Sequence, residues 1–70
     1  MEENIIRAME NHYTALMDKY YIKLIKSIRE SDLETSIEMT ANYSEALNQF
    51  NFVQKLKTLF QKSTVEKDEN

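Results

Sequence analysis

Apolar residues recur every three or four positions between residues 4 and 30. This spacing places them on one side of a helix of about 3.6 residues per turn, whereas the adjacent pair Ile5-Ile6 does not fit the alternation of a strand. We therefore predict a first helix at about 4–29. Its stripe, which we expect to form one half of a hairpin seam, consists of Met9, Tyr13, Leu16, Tyr20, Leu24 and Ile28.

A second helical pattern runs from residue 33 to about 61, with alternating steps of four and three residues, which is a heptad-like spacing. Lys57 fills the one polar slot of this series. Residues 63–70 are polar apart from one valine, and we predict that they form a flexible tail. The second half of the predicted seam consists of Met39, Tyr43, Ala46, Phe50, Val53 and Phe60.

The helical period is interrupted at about 30–32. Ser31 stands three residues before Glu34, which is the spacing of a capping box at the start of a helix. We predict a turn at this point and an all-α antiparallel hairpin covering residues 1–62. The chain contains no Gly and no Pro, so the alternative is one unbroken helix of about 60 residues.

The charges favour the hairpin, because opposite signs would lie side by side across a turn at 30–32. Each exposed pair would contribute only about 0–1 kcal/mol, so the pattern selects the topology more than it adds stability. The two groups are Lys19, Lys23, Lys26 and Arg29 on the first helix, and Glu34, Glu38 and Glu45 on the second.

A chain of 70 residues has little core of its own and commonly needs a disulfide, a metal or a partner chain. The absence of cysteine excludes disulfides, and a single histidine, His12, excludes a histidine-rich metal site. We therefore expect the hairpin to be completed by a partner chain or by homodimerisation.

The sequence favours no catalytic function and no cofactor. His12 has no nucleophile at a plausible distance, and a phosphate-binding loop needs glycine. The net charge of −3 argues against nucleic acid, although the basic group on the first helix leaves that alternative open. No segment is apolar enough to insert into a membrane, and the acidic start differs from a signal peptide, so we expect a cytoplasmic protein.

More apolar residues are present than one seam can cover. Such a surplus on a soluble chain usually marks a binding surface. The predicted partner-binding residues lie off the two stripes and are Tyr21, Ile22, Ile25, Phe52, Leu56 and Leu59.

The turn at Ser31-Asp32, the segment Tyr43-Ser44-Glu45-Ala46-Leu47 and the apolar finish through Leu59 resemble the small co-chaperones of type III secretion needle subunits. The resemblance implies a helical hairpin that joins a larger helical chaperone and keeps a needle subunit soluble before export, a role connected with virulence. The alternative is a homodimeric four-helix bundle acting as a regulator or anti-activator of a protein target.

Overall fold

The computed structural model of the chain describes the backbone of residues 2–69 and the side chains of residues 2–61. It consists of two α-helices, α1 (Glu2–Arg29) and α2 (Leu33–Glu69), which run antiparallel and pack along their length. The molecule is a rod of 59 × 15 × 12 Å, a single layer of helices. The predicted all-α hairpin is confirmed, and the alternative of one unbroken helix is wrong.

The ends of the helices follow the sequence closely, except at the carboxyl end of α2. The helix reaches Glu69 and so includes residues 63–69 of the predicted tail. No Gly or Pro follows residue 61, and neither of the strongest helix breakers is present to end the helix. Asn70 and the side chains from residue 62 onward lie outside the described residues, so the flexibility of this segment stays a prediction.

The turn is built without glycine. Ser31 adopts a left-handed conformation with φ of 57°. Its N–H donates to the carbonyl of Ile28 at 3.1 Å, and the N–H of Asp32 donates to the carbonyl of Ser27 at 2.9 Å. These two bonds form a Schellman motif, in which the left-handed residue reverses the chain and satisfies carbonyls at the end of the helix.

The same turn shows that the predicted capping box of Ser31 and Glu34 does not form. Ser31 belongs to the turn that follows α1, and Asp32 caps α2 instead, because its Oδ1 accepts the backbone N–H of Thr35 at 3.1 Å. Hydrogen bonds from the side chain and backbone of Thr35 lower the pKa of Asp32. The cap is therefore shifted by one residue from the predicted position.

The buried apolar side chains of α2 repeat every seven residues at Met39, Ala46 and Val53. Tyr43 and Phe50 lie between them and are half-buried. These five residues are the predicted seam of α2 up to residue 53. Phe60, the next in the series, lies beside the first turns of α1. It is 40% exposed because it is near the open end of the hairpin.

The seam of α1 differs from the prediction at both ends. Ile6 and Ser27 are buried, whereas Ile28 is 57% exposed and lies outside the seam. Positions seven apart line up along a helix that packs in a heptad seam. The line from Ile6 therefore reaches Ser27, not Ile28. The half-buried residues between these ends include the five other predicted members, Met9, Tyr13, Leu16, Tyr20 and Leu24.

Ser27 is accommodated by a small polar network next to the turn. Its Oγ lies 2.8 Å from the Oγ of Ser36 and 2.8 Å from the carbonyl of Leu24, and the Ser36 Oγ lies 2.8 Å from the carbonyl of Asp32. The two serine hydroxyl groups thus form three contacts, one with each other and one each with a backbone carbonyl. Because both side chains are small and hydrogen-bonded, the helices approach closely here without leaving a buried polar atom unsatisfied.

Candidate protein-binding surfaces

Many large apolar side chains of the described region are exposed. Only four apolar side chains among residues 2–61 are buried, and none of these is completely enclosed. The exposed large apolar residues are Ile5, Tyr21, Ile22, Ile28, Leu33, Ile37, Leu47, Phe52, Leu59 and Phe60. An exposed set of this size on so small a chain is the main feature of the molecule that a binding function has to explain.

Three contacts between the helices fix which residues lie at the same level. Glu10 bonds to Gln54, the rings of Tyr21 and Tyr43 are 6.5 Å apart, and Ser27 bonds to Ser36. The first two pairs of numbers each add up to 64, and the third adds up to 63. A residue of α1 therefore lies beside the residue of α2 whose number is about 64 minus its own.

The side of the hairpin that carries Tyr21 is apolar towards the turn; we name it the first face. Tyr21 and Ile28 are seven residues apart, as are Leu47 and Gln54, so each pair follows one line on its helix. Leu33 lies on the same line as Leu47, and Ile25 and Ile37 lie on the row of residues next to these lines. Its apolar members are Tyr21, Ile25, Ile28, Leu33, Ile37 and Leu47.

This face carries no charged side chain on α2 from Leu33 to Leu47, since its remaining positions there are Thr40 and Ser44. Leu33 and Ile37 are 73% and 62% exposed. Such an uncharged apolar area is typical of the core of a protein interface rather than of its rim.

Next to the first face, the outer side of α1 contains a shallow groove of about 420 Å³. Its apolar wall is formed by Tyr21, Ile22 and Ile25, three of the predicted partner-binding residues. Lys26 and Arg29 border it and also lie in the last turn of α1, where positive charge complements the helix dipole.

The opposite side of the hairpin, which we name the second face, is divided into two halves. Towards the open end it is apolar, and towards the turn it is charged, with a basic row on α1 and an acidic row on α2. The apolar half consists of Ile5, Met9, Leu16, Phe52, Leu56 and Leu59, and the charged half of Lys19, Lys23, Lys26, Glu38 and Glu45.

The structure therefore separates the six predicted partner-binding residues into two surfaces. Tyr21 and Ile25 belong to the first face and Ile22 to the outer side of α1, whereas Phe52, Leu56 and Leu59 belong to the second face. Phe52 lies nine residues beyond Tyr43, the neighbour of Tyr21, which is about 14 Å along the helix. The sequence missed Ile28, Leu33, Ile37 and Leu47 as binding residues. The signal that identifies them is helical spacing, because Ile28 follows Tyr21 by seven residues, Ile37 follows Leu33 by four, and Leu47 follows Leu33 by fourteen.

The predicted charge rows lie side by side, but they form no direct pairs. Among the side chains of residues 2–61, the only ion pair joins the Nζ of Lys57 to the Oε2 of Glu10 at 3.3 Å. Arg29 and Glu34 lie on the outer sides of their helices. The basic and acidic rows of the second face thus have no ionic partner among the side chains of residues 2–61.

Glu10 occupies a seam position on α1 and pairs with Lys57, the one polar residue in the seam series of α2. Its Oε2 accepts a hydrogen bond from Gln54 Nε2 at 2.6 Å in addition to the ion pair with Lys57. The hydrogen bond from Gln54 is the main cause that lowers the pKa of Glu10, and Lys57 contributes to it. These contacts use the carboxylate within the hairpin, so its role here is structural.

The described part of the chain holds no group of three or more His, Cys, Asp or Glu residues arranged to bind a metal ion. His12 is exposed, and its ring stands nearly perpendicular to that of the neighbouring Tyr13, with ring centroids 4.9 Å apart. Within the same described region, neither helix has a stretch that is both long and apolar enough to cross a bilayer.

Comparison of the chain with protein-family models, with curated proteins and with solved structures found no match.

Proposed function

We propose that the chain is a protein-binding helical hairpin whose first face docks onto another protein. The observation that carries the proposal is the contrast between four buried apolar side chains and the six apolar residues of this one face. Two helices in a single layer have nothing of their own with which to cover them. A partner that supplies an apolar surface of matching shape would complete the core.

The magnitude of the burial supports a stable complex. Fully burying an aliphatic or aromatic side chain is worth about 1.5–3 kcal/mol. Five of the six residues are between 39% and 73% exposed, so covering this face is worth roughly 4–9 kcal/mol. That amount is comparable with the whole stability of a small domain, about 5–15 kcal/mol. A bound partner would therefore add substantially to the stability of the hairpin, once the cost of association is subtracted.

The finer proposal is that the chain acts in the cytoplasm as a co-chaperone, stabilising a helical chaperone that holds a secretion-needle subunit soluble before export. Its support is the layout of the sequence, namely a short hairpin with the Tyr43–Leu47 segment on α2, together with the apolar first face. A partner built of helical repeats presents grooves between helices, into which the ridge of Ile25, Ile28 and Ile37 would fit.

The test uses the full chain in its native host, with a photo-crosslinking amino acid at Ile37. The crosslinked protein is identified, purified separately and recombined with the chain, and the Kd is measured. We expect Ile37→Asp and Ile25→Asp to weaken binding about 100-fold or more, because each places a carboxylate in an apolar contact. Ala15→Asp, which adds the same carboxylate at an exposed position of α1, is the matched control.

Equal affinities for Ile37→Asp and Ala15→Asp would refute docking through the first face. If the partner proves to be neither a chaperone nor a needle subunit while the first-face variants lose binding, the co-chaperone role is wrong and the protein-binding role stands. Circular dichroism of each variant shows whether a loss of binding reflects a loss of helix.

A further inference from the structure

The second face carries apolar residues that are exposed or half-buried and charged residues that have no ionic partner among the described side chains. Its apolar half contains residues of both helices, and its charged half has one sign on α1 and the other sign on α2. No ion pair connects the two rows among the described side chains. Both halves can therefore bind a partner surface that is divided in the same way. Such a surface is apolar at one end and has two rows of opposite charge at the other end.

We propose that a second copy of this chain covers the second face, with the two turns at the same end. A two-fold axis parallel to the helices would place α1 of each copy over α2 of the other. The basic row of one copy would then face the acidic row of the other, twice in each dimer. The apolar halves would face each other at the open end, and the product is a four-helix bundle.

The register of the hairpin makes this match specific. Residues at equal levels have numbers that add up to about 64, as the Glu10–Gln54 and Tyr21–Tyr43 contacts show. The same rule pairs α1 of one copy with α2 of the other. It places Ile5 over Leu59, His12 over Phe52, Lys19 over Glu45 and Lys26 over Glu38.

The other two-fold arrangement, with the same faces stacked, does not bring opposite charges together. With the turns at opposite ends, α1 would lie over α1 of the second copy in reverse. Lys26 would then face Ile5, and Lys19 would face His12. That arrangement leaves the basic row without carboxylates and places charge on the apolar half, which costs desolvation without compensation. Charge complementarity therefore selects a parallel dimer.

The dimer leaves the first face accessible on both outer surfaces. It is consequently independent of the proposed docking of a partner protein on that face. Failure of the dimer would leave the docking proposal intact, and failure of the docking would leave the dimer intact.

The test is a charge exchange between two variants of the full chain, examined by sedimentation equilibrium and native mass spectrometry. The acidic variant carries Lys19→Glu and Lys26→Glu, and the basic variant carries Glu38→Lys and Glu45→Lys. Each variant alone would set like charges against each other, so we expect its dimer Kd to be weakened about 10-fold or more. An equimolar mixture restores every opposite pair, so a dimer of one copy of each variant should form with nearly wild-type affinity.

The matched control exchanges charges on the outer side of α2, with Glu34→Lys and Lys55→Glu together, and should dimerise like the wild type. Added salt should weaken the wild-type dimer, since exposed ion pairs are screened. A monomeric wild type at high concentration would overturn the proposal. So would variants that each dimerise as the wild type does, or a mixture that fails to recover the dimer.

Discussion

The left-handed turn residue Ser31 offers a sharp test of the hairpin. With φ of 57°, its Cβ lies close to the following carbonyl, a conformation that costs a non-glycine residue about 1–2 kcal/mol. Glycine has no Cβ and avoids that cost, but it loses about 0.4–1 kcal/mol more conformational free energy on folding. We therefore expect Ser31→Gly to raise the free energy of unfolding by about 0.5–1 kcal/mol.

Thermal unfolding followed by circular dichroism measures the effect. A change of 1 kcal/mol moves the Tm of a domain of this size by about 4–8 °C, so Ser31→Gly should raise it by about 2–8 °C. Protein concentration must be equal in all samples, because self-association makes the Tm depend on concentration. Ser44→Gly is the matched control, since Ser44 is an exposed residue within α2. There the same replacement should lower stability by about 0.5 kcal/mol.

The two replacements thus have opposite expected signs. If Ser31→Gly lowers the Tm as Ser44→Gly does, Ser31 has a helical conformation in solution and the chain forms one continuous helix. The hairpin and the dimer built on it would then both be wrong. Ser31→Val separates the outcomes further, because a β-branched residue is a poor fit to the left-handed region and should destabilise only a hairpin with this turn.

Two other predictions concern the seam. Met39→Ala should lower the free energy of unfolding in urea by about 2 kcal/mol or more, because Met39 is buried. Ile37→Ala changes an exposed residue and should alter the free energy of unfolding by less than about 0.5 kcal/mol, so equal losses in the two variants would contradict the assigned seam. In Gln54→Ala, the pKa of Glu10 read by NMR should rise towards its ordinary value of 4.5. Since the folded-state pKa of Glu10 is lowered, its contribution to stability is present above pH 4.5 and is lost as the pH falls through the lowered pKa; an unchanged pKa in the variant would refute the role of Gln54.

The fold was predictable because its determinants are local. Apolar spacing identified both helices, and the absence of Gly and Pro limited the chain to one break. The stripe of α1 was harder to place, because its buried end is Ser27, a polar residue that an apolar pattern passes over in favour of Ile28. Only the hydrogen bonds of Ser27 with Leu24 and Ser36 explain why a serine is tolerated there.

The binding surfaces were predictable only in part. Periodicity shows that Tyr21 and Phe52 lie off the seams, but it does not show whether they share a side of the hairpin. That relation depends on which seam positions of the two helices face each other, which is set by the turn. Leu33 and Ile37 follow the turn closely, so their position on the same side as Ile28 depends on the geometry of the turn, in which Asp32 rather than Ser31 caps α2.

The polar residues within the seam reinforce the register that the turn sets, and this register aligns the surfaces of the hairpin. An apolar seam with a seven-residue period tolerates a slip of seven residues, because similar side chains meet again. A slip that brings Leu47 and Phe50 to Glu10 would remove Gln54 and Lys57 and leave a partly buried carboxylate without these partners, which is costly. The same slip would shift Lys26 two helical turns away from the level of Glu38. The contacts at Glu10 therefore stabilise both the pairing of the two helices and the charge pattern that each hairpin presents to a second copy.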